Sequence, residues 1–554
     1  MLRKSLLKAL AICLSVTSVL SFTSISASAA VIDDEFSVSS DNTTEVLTPE
    51  DTSLPSKYSS KDLGYVTEMK QQLYNDCWAY AGLGAFESKL LREGFDITSM
   101  SVNHLNAWAT TFSNGKGWQR TYTSDGYAEI ALGYLTSWQG GIEESVTGYI
   151  DLSSVIAGDL VDTSKAKYGT TAVEYLTKTD PDSIKKAIME HGGVYSAYAH
   201  APSCLSSDKL SYYMPSTYNG SYTGHAIEIV GWNNNYPTRN FNGTINRVPD
   251  NKGAWLVKNS WGENNTEGGY FWISYEDKFI FSDKYRPSYA IKSVVEINDN
   301  MRLEQNEIFG STYEYGYVDR EEITYINQFD FSSEYNTLDK VVFETKSKNA
   351  DYSIYYVPSV DKTPVQDKTQ WVKLFEDTLN YEGYHCADIE DFEIPQGNGS
   401  IAIEINTSKA NTGLTQYDEN YVANTIGVGE WLIKSNGYYT FINDSEYGDS
   451  FIYYDNTMTD LMQWYKDYNN DEIGGTFVIK AITTKSNSDV NTLGDVNLDG
   501  AVNILDATLI QKYIVGLTDL SDTALLNADY NQNGKIEVTD ATAIQKFTVG
   551  LNSY

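Results

Sequence analysis

One cysteine of this 554-residue chain, Cys77, lies in the stretch QQLYNDCWAY beside Trp78, at the expected start of a helix. A thiol is a strong nucleophile only as thiolate, so its pKa must be lowered by a helix N-terminus, a neighbouring imidazole, or both. A helix starting at Cys77 meets the first condition, because the sulfur then sits at the positive end of the dipole. Asp76 opposes it as a like charge, or serves as the helix N-cap. The second condition needs one of five histidines: His104, His191, His200, His225 or His385. His225 opens the apolar run HAIEIVGW, a strand whose end would hold the ring rigidly. Asn259, in KNSWG, can orient the imidazole through its side-chain carbonyl. The other four histidines are expected to be structural.

A second chemistry sits in the tail. Calcium loops need oxygen ligands at positions 1, 3, 5, 7, 9 and 12, with Gly at 6 for the turn. DVNLDGAVNILD offers Asp495, Asn497, Asp499, the Ala501 carbonyl, Asn503 and Asp506 around Gly500. DYNQNGKIEVTD offers Asp529, Asn531, Asn533, the Lys535 carbonyl, Glu537 and Asp540 around Gly534. Position 12 is Asp, shorter than the usual bidentate Glu, and neither loop has a clear incoming helix. The loops head an internal repeat: DATLIQKYIVGL (506–517) and DATAIQKFTVGL (540–551) match at nine of twelve positions, 34 residues apart. Fortuitous Asx-rich turns do not explain the recurrence of Gly at position 6 and of Val502 and Ile536 at position 8.

Composition limits what surrounds these residues. The length suits several domains. With 75 acidic against 40 basic residues the formal charge is -35, which argues against nucleic-acid or anionic-membrane partners. Arg3, Lys4 and Lys8, an apolar run from Ala9 to Phe22 and the small residues Ala27-Ser28-Ala29 read as a secretory signal over 1–30. No other segment could span a bilayer. Once Cys13 leaves with the signal, Cys77, Cys204 and Cys386 remain, so at most one internal disulfide can form.

The elements that must position the site follow from pattern. Residues 31–53 are an acidic, Ser/Thr-rich leader. Helices are expected from about Cys77 to Arg92, in YAEIALGYLTSW, and in DPDSIKKAIMEHGG, where Asp180 caps and Pro181 suits the first turn. GVYSAYA, HAIEIVGW and GAWLVKNSW then read as strands. Helices first and strands later predict an α+β domain over 54–290. Residues 291–484 have almost no helical period, and KVVFETKS, DYSIYYVPS, SIAIEINTS and TFVIKAITT predict an all-β sandwich. A linker is expected over 485–492, and the calcium module over 493–554.

With these residues in view, the region 54–290 resembles a papain-like cysteine peptidase. The family pattern of Gln, five residues, then Cys-Trp-Ala-aromatic is met by Gln71 and CWAY, its His-Ala strand by HAIEIVGW, and its Asn-Ser-Trp-Gly by 259–262. His225 and Asn259 follow Cys77 by 148 and 182 residues; a downstream His is expected after roughly 130–150. The resemblance implies Cys77 as nucleophile, His225 as general base and then acid, and Asn259 as its orienting partner. It implies an oxyanion hole from the Gln71 side chain and the Cys77 amide, and Trp261 as a shield over the His–Asn contact. Gly126 and Ala226 match positions lining the non-primed substrate groove. Three departures stand out: Tyr74 where many members have a disulfide cysteine, Gly224 before the His, and a leader too short for the family's long helical propeptide.

The middle region is similar to the lectin-like domains that follow some bacterial papain-like peptidases; Tyr313, Tyr315 and Tyr317 either stack on a ligand or pack a sheet face. The tail resembles a type I dockerin, a small all-α calcium-binding module that docks into cohesins on a scaffoldin. Its copies differ at positions 10 and 11, Ile504-Leu505 against Val538-Thr539. The expected protein is a multidomain, secreted, extracellular cysteine endopeptidase with two calcium ions in the dockerin. It needs no cofactor for catalysis, takes protein or peptide substrates, and is carried by a cohesin into a cell-surface or free cellulosome complex. The alternative is a catalytically weak peptide- or carbohydrate-binding module on a peptidase-like scaffold.

Overall fold

The computed structural model describes residues 54–554 apart from 111–117, 119, 148–160, 246, 265–267, 283, 285–286, 419, 430–444, 470–474, 486–492, 499–500 and 549–554. The signal segment 1–30, the leader 31–53, nearly all of the linker 485–492, and Asp499 with Gly500 lie outside the described residues.

The helix Cys77–Glu93 is rich in Ala and Leu, and buries Trp78, Leu83, Phe86 and Leu90. Gly94, at φ 90°, ends it by turning its amide back to the Leu90 and Leu91 carbonyls. The helix Pro181–His191 is capped by the Asp180 side chain, which accepts from the Ser183 amide. Strands Val194–His200, Thr223–Asn233 and Ala254–Lys258 pair antiparallel in the order first, second, third. The strand Tyr168–Leu176, which precedes the second of these helices, departs from the helices-first pattern expected of the sequence.

That strand is the bridge to the rest of the molecule. On one side it pairs with Ser288–Glu296, and on the other with the start of Gly383–Glu393, through Gly383↔Glu174 and Tyr384↔Val173. One sheet therefore runs from the strands that carry His225 and Asn259 into Thr337–Thr345, Ile479–Thr484 and Met301–Glu304. The seam is also packed. Phe309 meets the rings of Trp108 and Trp118 at centroid distances of 5.2 and 6.4 Å. Gly133 is needed there, because a Cβ would run into the Phe309 carbonyl. Lys480 forms a fully buried ion pair with Glu307 and reaches Ser137 Oγ at 3.0 Å.

A second sheet places Asp351–Val360, Gly397–Asn406, Glu322–Phe331 and Ser450–Tyr454 side by side. Ile323, Tyr325, Phe343, Ile354, Ile401 and Ile403 are among its core. The helix Leu461–Asn469 was not foreshadowed by any helical period in this region. It forms because Leu461 and Tyr465, four residues apart, both enter that core. Of the alternating tyrosines, Tyr315 is buried against Trp464, Tyr465 and Phe477, Tyr317 packs on Tyr315 and Tyr454, and Tyr313 is exposed. Packing thus accounts for Tyr315.

The tail folds as helices Ile504–Ile514, Asp522–Ala528 and Val538–Thr548 over a small core of Val496, Ala507, Ile510, Tyr530, Ala541 and Ile544. Among the described residues, no helix is long and apolar enough to cross a membrane, and Cys77, Cys204 and Cys386 are free.

Candidate active site

Cys77 is the first residue of its helix. Asp76 occupies the N-cap position, but its side chain makes no capping hydrogen bond. It turns to accept from Asn106 Nδ2 at 3.0 Å, while the Asp76 carbonyl accepts from the Ala79 amide at 2.9 Å. Cys77 Sγ accepts from the Ala226 amide at 3.4 Å. Among the described residues no hydrogen bond joins it to the imidazole.

His225 lies at the opening of the strand Thr223–Asn233, flanked by the strands that hold Tyr198 and Lys258. Its Nε2 is 2.8 Å from Asn259 Oδ1. The same Oδ1 accepts the Ser260 amide at 2.8 Å, which identifies it as the oxygen of the amide. The imidazole must then donate from Nε2, and Nδ1 carries the lone pair in the neutral ring. Trp261 stacks on the imidazole at 4.5 Å and 28°, keeping water from that hydrogen bond. His200 meets the edge of Trp261 at 5.1 Å and stacks on Tyr212.

Gln71 arrives by a third route. Its segment runs antiparallel to 260–262: the Gln72 amide donates to the Ser260 carbonyl at 2.6 Å, the Gly262 amide donates to the Lys70 carbonyl at 3.1 Å, and Gln71 bridges Trp261. Gly126 lies against Trp78, where a Cβ would come within 2.5 Å of the indole; only glycine fits. Arg120 holds that segment. It donates to the Ser124 carbonyl at 2.6 Å and the Asp125 carbonyl at 3.1 Å while covering the Trp78 ring. Where a disulfide cysteine is common in relatives, Tyr74 packs edge-on to Tyr122.

Burial dominates the electrostatics. It pushes the Cys77 thiol up to about 11, with Asp76 and Asp125 adding to the rise and the Ala226 and Trp78 amides opposing it. Burial brings the His225 imidazolium down to about 4, against the Asn259 hydrogen bond. The lowered thiol pKa expected from the helix terminus is therefore outweighed for the lone group. Burial thus disfavours each charge taken alone, the thiolate at Cys77 and the imidazolium at His225.

Sequence reasoning missed Glu228, Lys258 and Arg120, while His200 packs on Tyr212 and Trp261. Glu228 and Lys258 did leave a signal, as single charges in otherwise apolar strands. The other three histidines are packed away from this cleft. His104 bonds Tyr134 and the Asp162 carbonyl, His191 lies beside Lys89, and His385 stacks between Phe343 and Tyr381.

The tail loops repeat one geometry. Asp506 accepts from the amides of Asn497 (3.0 Å) and Asn503 (2.8 Å), and Asp540 from those of Asn531 (3.0 Å) and Glu537 (2.9 Å). Position 12 is thus turned onto positions 3 and 9 in both copies, and both carboxylates are fully buried. In the second loop Asp529 accepts from the Asn533 and Gly534 amides, Asn531 from the Asn533 amide, and Asn533 from the Lys535 amide, and Gly534 takes φ +82°. Asn503 caps the helix that follows the first loop, Ala501 is exposed, and Asp495 is buried. Among the described residues no three His, Cys, Asp or Glu side chains form a ligand cluster. The donors are instead a mixed set of carboxylate, amide and carbonyl oxygens, hard ligands that fit calcium.

Three family patterns match in order: papain family cysteine protease over 54–290, lectin like domain over 304–483, and dockerin type I domain over 493–547. Cathepsin S of Mus musculus is 26% identical over 228 residues, covering 41% of this chain and 60% of the cathepsin. Cathepsin M of Mus musculus is 28% identical over 223 residues, covering 40% and 61%. The chain thus spans about 60% of the length of these relatives. The structure of the Clostridial cysteine protease Cwp84 after propeptide cleavage superposes with a TM-score of 0.67 at 32% identity, over 78% of this chain and 100% of that one. The cysteine protease and lectin-like domains of Cwp84, a surface layer associated protein of Clostridium difficile, give a TM-score of 0.66 at 32% identity, over 78% and 89%. The chain belongs to the papain family of cysteine proteases, with a lectin-like domain and a type I dockerin domain in the same polypeptide.

Proposed function

We propose that the protein is a secreted cysteine endopeptidase carried by its dockerin to a cohesin. The observation that supports this most is the double use of Asn259 Oδ1, which accepts from both Ser260 and His225 and leaves Nδ1 as a base for a thiol at a helix start. Sγ attacks the scissile carbonyl as its proton passes to Nδ1. The Cys77 amide and the Gln71 side chain stabilise the oxyanion, at about 3 kcal/mol per donor. The imidazolium then returns the proton to the departing amine, leaving an acyl-cysteine. Water, deprotonated by the same ring, releases the acid and regenerates the thiol. Gly126 and Ala226 line the non-primed side of the groove, and Trp261 keeps the His–Asn bond dry.

Calcium in the two tail loops, held by Asp495, Asn497, Asp499, Ala501, Asn503 and Asp506 and by Asp529, Asn531, Asn533, Lys535, Glu537 and Asp540, offsets carboxylate repulsion and stabilises a module whose core is small. Ile504, Leu505 and Val538 are exposed beside the loops, as a docking face requires. The location is extracellular, in a cell-surface or free cellulosome-type complex.

Hydrolysis of a mixed fluorogenic peptide library, with reductant and calcium, tests the enzyme. Thiol-dependent cleavage that Cys77→Ala lacks is expected. Equal rates from both proteins, or no cleavage by a folded chain that also resists alkylation, would instead support the binding-module reading. Capture by cohesins, lost on adding chelator, tests the dockerin.

A further inference from the structure

Two charged residues stand in otherwise apolar strands, Glu228 in HAIEIVGW and Lys258 in GAWLVKNSW. They face each other across the ladder, with Lys258 Nζ 3.4 Å from Glu228 Oε2 and both side chains buried. Such a pair adds little net stability over apolar residues of equal volume, so stability alone does not account for it. Its position does. Side chains two apart on a strand share a face, and Glu228 is two residues beyond Ala226, whose amide meets Sγ. The Glu228 carboxylate reaches across to the nucleophile helix, where Ser88 Oγ donates to Oε1. Gly84 lies so close that a Cβ there would stand 2.5 Å from Oε2, and Gly193 makes room for Oε1 in the same way. Gly84 and Ser88 are two and three turns beyond Cys77, on the same side of the helix. Lys258 precedes Asn259, and its Nζ donates to Thr67 Oγ1 at 3.0 Å. Thr67 donates to Glu87 on the helix and lies four residues before Gln71.

Resting on the peptidase reading, we propose that Glu228 is a positioning residue. Its carboxylate, tied to Ser88 and Lys258 in a notch formed by Gly84 and Gly193, sets the separation between the helix carrying Cys77 and the strands carrying His225 and Asn259. A change in this tether moves nucleophile and base relative to each other without touching the substrate groove. The effect therefore falls on kcat and on thiol reactivity rather than on KM.

The test compares the full wild-type chain with Glu228→Gln and with the double variant Glu228→Met/Lys258→Met, which leaves no unpaired buried charge. The readouts are kcat and KM on a fluorogenic peptide, the melting temperature, and the rate of Cys77 alkylation by iodoacetamide. Misplacement by about 1 Å costs about 100-fold, so kcat should fall at least about 10-fold in Glu228→Gln and about 100-fold in the double variant, with KM within about threefold. Alkylation should slow in parallel, although the double variant melts near the wild type. The proposal is overturned if the double variant regains wild-type kcat and alkylation together with wild-type melting. If that variant does not fold, the isosteric Glu228→Gln decides alone, and a wild-type kcat in it overturns the proposal. A wild type that alkylates rapidly but cleaves no peptide defeats the peptidase reading, and leaves the alkylation comparison to judge Glu228.

Discussion

The active-site cleft and the tail loops are both built around short motifs, yet they are held in opposite ways. Each tail loop is built from twelve consecutive residues, and the carboxylate at position 12 closes onto amides three to ten residues away. The cleft draws on Gln71, Cys77, His225 and Asn259, which three separate chain segments bring together. Its sheet continues into strands beyond residue 290. The difference teaches that the tail loops are organised within a dozen residues, whereas the cleft rests on a sheet shared with the sandwich behind it.

Four experiments break or sharpen that contrast. Cys77→Ala should lower peptide hydrolysis by at least about 10⁴-fold and leave cohesin capture unchanged; a joint loss would show that the regions are coupled. Phe309→Ala removes the ring lodged against Trp108 and Trp118 and should cost about 3–5 kcal/mol. Calorimetry should show it in the peptidase–sandwich transition, with the dockerin transition unmoved. Chelation should reverse that pattern: the helical signal of the tail falls and cohesin affinity drops at least about 100-fold, while hydrolysis persists.

The smallest effect concerns pH. Burial pushes the Glu129 carboxyl up to about 7 and that of Glu344 up to about 8. Folding thus holds protons that the unfolded chain releases at about 4.5. The stability from these groups is complete below that pH and is lost as pH rises through about 7 and 8. The melting temperature of the peptidase–sandwich transition should therefore fall between about pH 4.5 and 8. Glu344→Gln should flatten the slope, and an unchanged slope would remove Glu344 as its source.

Much of this was readable in the chain. The motif order around Gln71, Cys77, His225 and Asn259, the helix from Cys77, and the strands HAIEIVGW and GAWLVKNSW carry local signals: a capping glycine, apolar runs, fixed spacings. The strand Tyr168–Leu176 was hidden because YGTTAVEYL mixes small and polar residues, and only its two neighbours make it a strand. The helix Leu461–Asn469 was hidden because its apolar positions Leu461, Trp464 and Tyr465 span little more than one turn within a region of strand-like runs. The Asp76 side chain, open to reading as a cap, instead found Asn106 thirty residues away.

The sequence by itself determined which groups are present and, in the tail, how they are arranged, because covalent spacing within a dozen residues leaves a loop few other ways to close. Only the tertiary structure decided where the His225 proton sits, that burial works against a lone thiolate at Cys77, and that Glu228 and Lys258 tie helix to sheet. Those properties arise from contacts between residues tens to more than a hundred positions apart. Such contacts have no periodicity, and they acquire their strength only once water has been excluded around them.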